Sequence, residues 1–203
     1  MPTIHNFSNC LSVILTNYIF KTFSQTIFPL AINQRLIMFI SNHNLSSMPC
    51  PCGSQKPLNQ CCDVYLQGQL SAPTAEKLMR SRYCAYYLKN IDYLFNTEHP
   101  NYRNSNSRSM ITVTANSLRW LGLTVLYTEG GKSEDETGIV EFMAVYQEGK
   151  SVAQLHERSN FIKEKGKWFY TDGEILPPIQ PKKNEPCWCN SGKKFKQCHG
   201  KLR

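Results

Sequence analysis

Residues 121–171, LGLTVLYTEGGKSEDETGIVEFMAVYQEGKSVAQLHERSNFIKEKGKWFYT, decide the fold. They contain four runs rich in Val, Ile, Phe, Tyr and Trp: Leu121–Tyr127, Thr137–Gln147, Val152–Lys163 and Lys167–Thr171. Such residues suit a pleated, half-buried surface. Gly130-Gly131, Glu148-Gly149 and Lys165-Gly166 fall between the runs as turn signals, so the segment reads as hairpins in series. Toward the N-terminus, residues 74–97 read as one helix. Thr74 caps it, Glu76 follows early, and Leu78, Met79, Ala85, Leu88, Ile91 and Leu94 recur at helical intervals. His99-Pro100 closes it, and a shorter helical segment follows around Met110 to Leu118. Helices followed by a consecutive strand meander specify an α+β domain over residues 68–176, with the helices packed on a curved antiparallel sheet.

The chain of 203 residues is 41% hydrophobic and 19% charged, an ordinary globular composition that excludes wholesale disorder and an integral membrane protein. Its net charge of +8 is unevenly spread. Residues 48–181 balance 14 basic against 14 acidic side chains, whereas residues 182–203 carry seven basic groups and one acid. A neutral middle argues against a DNA-binding core, and no DNA specificity is expected. No nucleotide-binding loop, nucleophile elbow or His-rich catalytic metal pattern occurs in the sequence.

Nine cysteines are present, and they are clustered. Cys50, Cys52, Cys61 and Cys62 form one group, and Cys187, Cys189 and Cys198 form a second with His199, while Cys10 and Cys84 stand apart. Pro49-Cys50-Pro51-Cys52-Gly53-Ser54 and Pro186-Cys187-Trp188-Cys189-Asn190-Ser191 open two copies of one pattern, C-x-C-x8-C-[CH]. Lys56 matches Lys193, Gln60 matches Gln197, and Leu58 falls where Phe195 does. A set of four cysteines beside a set of three cysteines and a histidine is what two structural zinc sites require, with four protein ligands each and no open position. Reactive thiols or a disulfide in each knuckle are the competing readings. Gly53 and Asn190 are of types that tolerate the positive φ needed to turn around a metal. Cys84, inside the helix, reads as a buried apolar residue.

The repeated knuckle resembles the SEC-C motif, named from the C-terminus of the preprotein-translocase ATPase SecA. Two such motifs flank a domain that opens Leu78-Met79-Arg80-Ser81-Arg82-Tyr83 and closes Glu157-Arg158-Ser159-Asn160-Phe161 and Trp168-Phe169-Tyr170-Thr171-Asp172-Gly173. That arrangement, over residues 48–200, resembles the YchJ-type family of bacterial proteins. The resemblance implies a cone-shaped, cystatin-like middle domain similar to nuclear transport factor and ketosteroid isomerase. It also implies a cytoplasmic interaction module, because the motif of SecA binds zinc and contacts the chaperone SecB and ribosomes. Trp188 stands where the family usually has Pro, and Asn190 where it has Gly; neither change removes a ligand.

The expected boundaries are an N-terminal knuckle at 48–64, a linker at 177–183 and a C-terminal knuckle with a basic tail at 184–203. Residues 1–47 carry no acid and no apolar run of membrane-spanning length. The expectation is that Met48 is the true start, against an organellar presequence or a membrane-surface helix; the family proteins begin almost at the first C-P-C.

Two functional readings follow. In the second knuckle Lys193, Lys194 and Lys196 interleave with Trp188 and Phe195, a surface for a protein or for ribosomal or other RNA. The chain is then a non-enzymatic adaptor. The alternative is a ligand-binding protein or enzyme that uses a pocket between helices and sheet. On the third strand Leu155, Glu157, Ser159 and Phe161 share one face, and His156, Arg158 and Asn160 the other. An inward Glu157 is either paired with Arg80 or Arg82, a structural role, or raised in pKa and suited to act as a general base.

Overall fold

The computed structural model describes residues 47–189 and 191–201. The N-terminal extension up to residue 46, with Cys10, and Asn190 lie outside the described residues. Among those described, four helices precede a four-stranded sheet. The helices are α1 (Asp63–Leu66), α2 (Ala75–Leu88), α3 (Ile91–Asn96) and α4 (Ser107–Ser117). The strands are β1 (Arg119–Gly130), β2 (Thr137–Glu148), β3 (Ser151–Glu164) and β4 (Lys167–Ile175), paired antiparallel in the order β1-β2-β3-β4. The α+β meander read from the sequence is therefore the fold, with each strand extending somewhat past its apolar run. The first gains most, running from Arg119 to Gly130, and the fourth continues beyond Thr171 to Ile175.

Register irregularities between Trp120 and Gly122, between Val125 and Tyr127 in β1, and between Asn160 and Phe161 where β3 meets β4 interrupt the ladders. Such bulges bend a strand and increase its twist, which curves the sheet around the helices.

The single helix expected over residues 74–97 is two. Thr74 caps α2 as predicted, its Oγ1 accepting from the Lys77 N–H at 3.1 Å. The helix then stops at Lys89, which takes a left-handed conformation at φ +59° and returns its N–H to the Ala85 and Tyr86 carbonyls. Asn90 starts α3 by accepting from the Tyr93 N–H at 3.0 Å. The apolar periodicity continues across the break, so the pattern does not reveal it.

The buried side of α2 carries Leu78, Met79, Tyr83, Cys84 and Ala85. Leu78 and Met79 meet Val140, Phe161, Trp168 and Tyr170 from the sheet. Tyr83 and Ala85 join Leu94, Ile111, Trp120 and Ala144 in a second cluster, which also contains all four cysteines of the first group. Full burial of a side chain such as Leu78 or Phe161 contributes about 2 kcal/mol. The first cysteine knuckle is thus continuous with the core of the α+β domain.

Candidate metal centres and cavity

The two cysteine patterns fold alike. In the first, the Cys50 N–H donates to the Lys56 carbonyl, Gln60 to Pro57 and Cys61 to Leu58; in the second, Cys187 donates to Lys193, Gln197 to Lys194 and Cys198 to Phe195. The corresponding donor–acceptor distances agree to within 0.1 Å, 2.8, 3.0 and 3.0 Å against 2.8, 2.9 and 3.0 Å. A one-turn 3-10 helix precedes the last ligand pair in each, Leu58–Gln60 and Phe195–Gln197. Gly53 has the positive φ, +77°, that the turn was expected to need.

These backbones bring the predicted ligands together. The sulfurs of Cys50, Cys52, Cys61 and Cys62 lie within 4.8 Å of one another, as do the donor atoms of Cys187, Cys189, Cys198 and His199. Cys52 and Cys61 are 3.7 Å apart, and Cys189 and Cys198 3.6 Å. Nδ1 of His199 lies 3.3 Å from both Cys187 and Cys198. Four sulfurs bound tetrahedrally at ~2.3 Å stand about 3.8 Å apart, so either cluster can hold a metal ion with little rearrangement. Ser54 Oγ lies 3.1 Å from the Cys61 sulfur, and Ser191 Oγ 3.5 Å from that of Cys198.

Thiolate character is favoured at Cys50, Cys52 and Cys189, whereas burial pushes the Cys61 and Cys187 thiols up and hydrogen bonds to Cys50 and Cys52 push up that of Cys62. Sulfur hydrogen bonds from Cys50, Cys62 and Cys84 pull the Cys52 thiol well below its ordinary value. Desolvation opposes ionisation of Cys189, yet the bonds it receives from Ser191 lower it to about 6. A thiolate is the form that binds metal.

The surroundings of the two clusters differ. All four cysteines of the first are buried. Arg80 of α2 donates to the Cys52 carbonyl at 2.8 Å while pairing with Glu76, and the sulfur of Cys84 lies 3.5 Å from that of Cys50. Cys84 is buried, as expected of an apolar core residue, and its packing partner is the metal cluster itself. Its distance in sequence hides this, although Arg80 and Cys84, one helical turn apart, point to a helix face turned toward the knuckle. In the second cluster only Cys187 is buried, and His199 is exposed. Trp188 packs over the His199 ring at 4.2 Å between centroids. Lys193, Lys194 and Lys196 are exposed around the half-buried Phe195. The linker is fixed at its start: Gln154 exchanges two hydrogen bonds with the backbone of Ile179, at 2.9 and 3.0 Å, and the Leu176 N–H donates to the His156 carbonyl.

The pocket expected between helices and sheet is present as a cavity of about 160 Å³. Met79, Arg82, Ile111, Trp120, Glu157 and Phe161 are among its walls. The period-two reading of β3 holds: Glu157, Ser159 and Phe161 are all buried on one face. Burial pushes the Glu157 carboxyl up to about 7, against the opposing pull of Ser159, Arg82 and Tyr170. Ser159 Oγ donates to its Oε1 at 2.6 Å. The backbone at Gly173 passes so close to the carboxylate that a Cβ there would collide with it. Neither arginine takes the partner role in the expected form. Arg80 is committed to Glu76 and the first knuckle. Arg82 lines the cavity, but its Nη1 donates to the Leu94 carbonyl and Thr97 Oγ1, both at 2.7 Å, and it acts on Glu157 only through its field.

An α+β domain whose core incorporates one thiol-rich metal knuckle, with a second knuckle beyond a linker, defines the class. Family comparison agrees. The model of the YchJ middle NTF2-like domain matches residues 74–173, and that of the SEC-C motif matches residues 184–201. The solution structure of a SEC-C motif containing protein from Rhodopseudomonas palustris is similar at 36% identity and a TM-score of 0.59, over 64% of this chain and 100% of that one. The crystal structure of a SEC-C motif containing protein from Psychrobacter arcticus is similar at 28% identity and a TM-score of 0.55, over 77% of this chain and 98% of that one. The chain belongs to the SEC-C motif proteins with a YchJ-like middle domain. No helix among the described residues is long and apolar enough to cross a membrane.

Proposed function

We propose that this chain is a non-enzymatic adaptor of the bacterial cytoplasm, that it carries two structural zinc ions, and that its second knuckle docks on a protein or ribonucleoprotein partner. Zinc suits the donor sets, since a tetrahedral site of thiolates with at most one imidazole is its preferred structural environment. Cys50, Cys52, Cys61 and Cys62 would hold one ion, and Cys187, Cys189, Cys198 and His199 the other. Bound there, the ion supplies a cross-link that fixes the knuckle backbone, and four protein ligands leave no position for substrate.

The observation that carries the docking reading is the contrast between two copies of one backbone. The first copy is buried into the core. The second keeps its metal ligands near the surface and presents three exposed lysines beside Trp188 and Phe195. A knuckle needed only for folding has no use for that surface, whereas cationic groups around aromatic rings suit phosphate or acidic side chains.

The test is an affinity pull-down from bacterial lysate with the metal-loaded chain beside a Cys187→Ser/Cys189→Ser version, with and without nuclease. Partners retained by the first and lost by the second support the adaptor. Loss on nuclease treatment identifies RNA, and a steep salt dependence identifies phosphate contacts. Identical lanes overturn the docking role of the second knuckle.

A further inference from the structure

His156 lies on the outer face of β3, since its neighbours Leu155 and Glu157 turn toward the helices and line the cavity there. The linker crosses that outer face. The Leu176 N–H donates to the His156 carbonyl, and Gln154, two residues earlier on the same face, is bonded twice to Ile179. Between these contacts the imidazole stands between two acceptors. Its Nδ1 is 2.7 Å from the Pro177 carbonyl oxygen, and its Nε2 is 3.0 Å from Glu141 Oε1. The ring is only 12% exposed and the Glu141 side chain 23%, so both contacts are largely shielded from water. Neither a carbonyl nor an ionised carboxylate can donate, so the two contacts are both hydrogen bonds only when both ring nitrogens carry a proton. A neutral imidazole carries one. That proton goes to the carboxylate, the stronger acceptor, and the Nδ1 lone pair then faces the oxygen of Pro177.

The other charged groups around the ring leave it this role. On β3, Arg158 shares the face of His156, but its guanidinium lies 3.4 Å from Glu129 of β1 and over the Tyr127 ring. On β2, Met143 stands directly opposite His156 and Glu141 opposite Arg158, and on β4 Glu174 pairs with Arg158. The linker brings no titratable side chain from Leu176 to Pro181. Glu141 is therefore the charged group bonded to the ring. We infer that His156 is a proton-operated latch on the linker that carries the second knuckle. The doubly protonated ring clamps the Pro177 carbonyl to Glu141 and the sheet. Loss of the Nδ1 proton to solvent releases that carbonyl, and Gln154 remains as the linker's side-chain hold. Pro177 is exposed, so water takes the place of the ring at its freed oxygen. Because the clamp exists only with the proton, it is closed on the acid side of the His156 titration and open on the alkaline side. The latch uses no residue of either metal cluster and goes beyond the docking role proposed for the second knuckle.

The experiment follows the zinc-loaded full chain by NMR from about pH 5.5 to 8, the range in which histidines change charge. The ring nitrogen shifts of His156, assigned by their absence in His156→Phe, report its protonation. Hydrogen exchange of the Ile179 amide, each rate taken relative to the unstructured rate at the same pH, reports the linker. At the acid end both ring nitrogens should carry a proton. Ile179 should there be protected about tenfold or more above its value at the alkaline end, the factor expected of one charge-assisted hydrogen bond. The two readouts should share one midpoint. Glu141→Gln, which keeps an acceptor and removes the charge, should move that midpoint to lower pH, and His156→Phe should show the low protection throughout. Circular dichroism and zinc content at each pH establish that the chains are folded and loaded. The inference is overturned if either ring nitrogen lacks a proton at the acid end, if Ile179 protection ignores pH, if its pH dependence survives in His156→Phe, or if Glu141→Gln leaves the midpoint unmoved.

Discussion

The sulfur of Cys84, in the middle of α2, lies 3.5 Å from the sulfur of Cys50, the first ligand of the N-terminal metal cluster. With Arg80 reaching the Cys52 carbonyl one turn earlier, α2 is bound to the knuckle through both a side-chain cation and a buried thiol. The metal site and the helix that lines the cavity are one packed unit, whereas no hydrogen bond among the described residues joins residues 186–201 to the helices or sheet.

Removing a ligand from each knuckle should therefore have unequal effects. Cys52→Ser should lose one zinc per chain and destabilise the α+β core by about 3 kcal/mol or more, a fall in Tm on the order of 10 °C. Cys189→Ser should also lose one zinc and leave the melting of the core within about 1–2 °C. Metal analysis and thermal unfolding followed by circular dichroism check both. Equal destabilisation by the two variants contradicts the asymmetry.

Cys84 packs on the cluster without belonging to its four-ligand set. Cys84→Ala should keep two zinc ions per chain and cost about 1 kcal/mol from lost packing, measured by urea denaturation. A drop to one zinc would make Cys84 a ligand.

Glu157 sets a pH dependence whose sign follows from burial. Its folded pKa is raised to about 7, above the ordinary carboxylate value of 4.5. The folded state therefore holds the proton more tightly, and its contribution is complete below the unfolded pKa and disappears as pH rises through the folded one. Stability should fall between about pH 4.5 and 7, by on the order of 3 kcal/mol from this group. Glu157→Gln should flatten that slope and be more stable than wild type at about pH 8. Urea titrations on either side of that window give both numbers, and an unchanged slope rules out Glu157 as its source.

Gly173 makes room for that carboxylate. Gly173→Ala should destabilise the chain by about 1–3 kcal/mol through overpacking. The same change made in Glu157→Ala should cost much less, a coupling that a double-mutant cycle reads directly. Additive effects would place the strain elsewhere.

Lys89 holds the left-handed position between α2 and α3 with a side chain that resists it. Lys89→Gly should raise stability by up to about 1 kcal/mol, since glycine adopts that conformation without a Cβ clash. Denaturant midpoints decide the sign.

The elements most legible in the sequence are those governed by local pattern. Alternation along Leu155, Glu157, Ser159 and Phe161 marks the inward face of β3, and glycine-containing turns mark the hairpins. The repeated cysteine spacing points to both ligand sets, because a metal knuckle is closed by residues near one another in the chain. What escapes depends on packing between distant segments. Cys84 meets Cys50 across 34 positions, and Gly173 meets Glu157 only through strand pairing. The Lys89-Asn90 break has neither Gly nor Pro to mark it, and the expected Arg80–Glu157 pair is defeated by a nearer competitor, Glu76, one turn away on the same helix.

The paired bonds between Gln154 and the backbone of Ile179 set the reach of the second knuckle. Beyond that anchor only residues 180–185 separate β3 from Pro186, a leash that spans at most ~21 Å when fully drawn out. The surface formed by Trp188 and the lysines is thereby held within that reach of the anchor on β3, whichever way the knuckle turns. Lengthening that leash would leave both knuckles intact and widen the region that the second one can sweep.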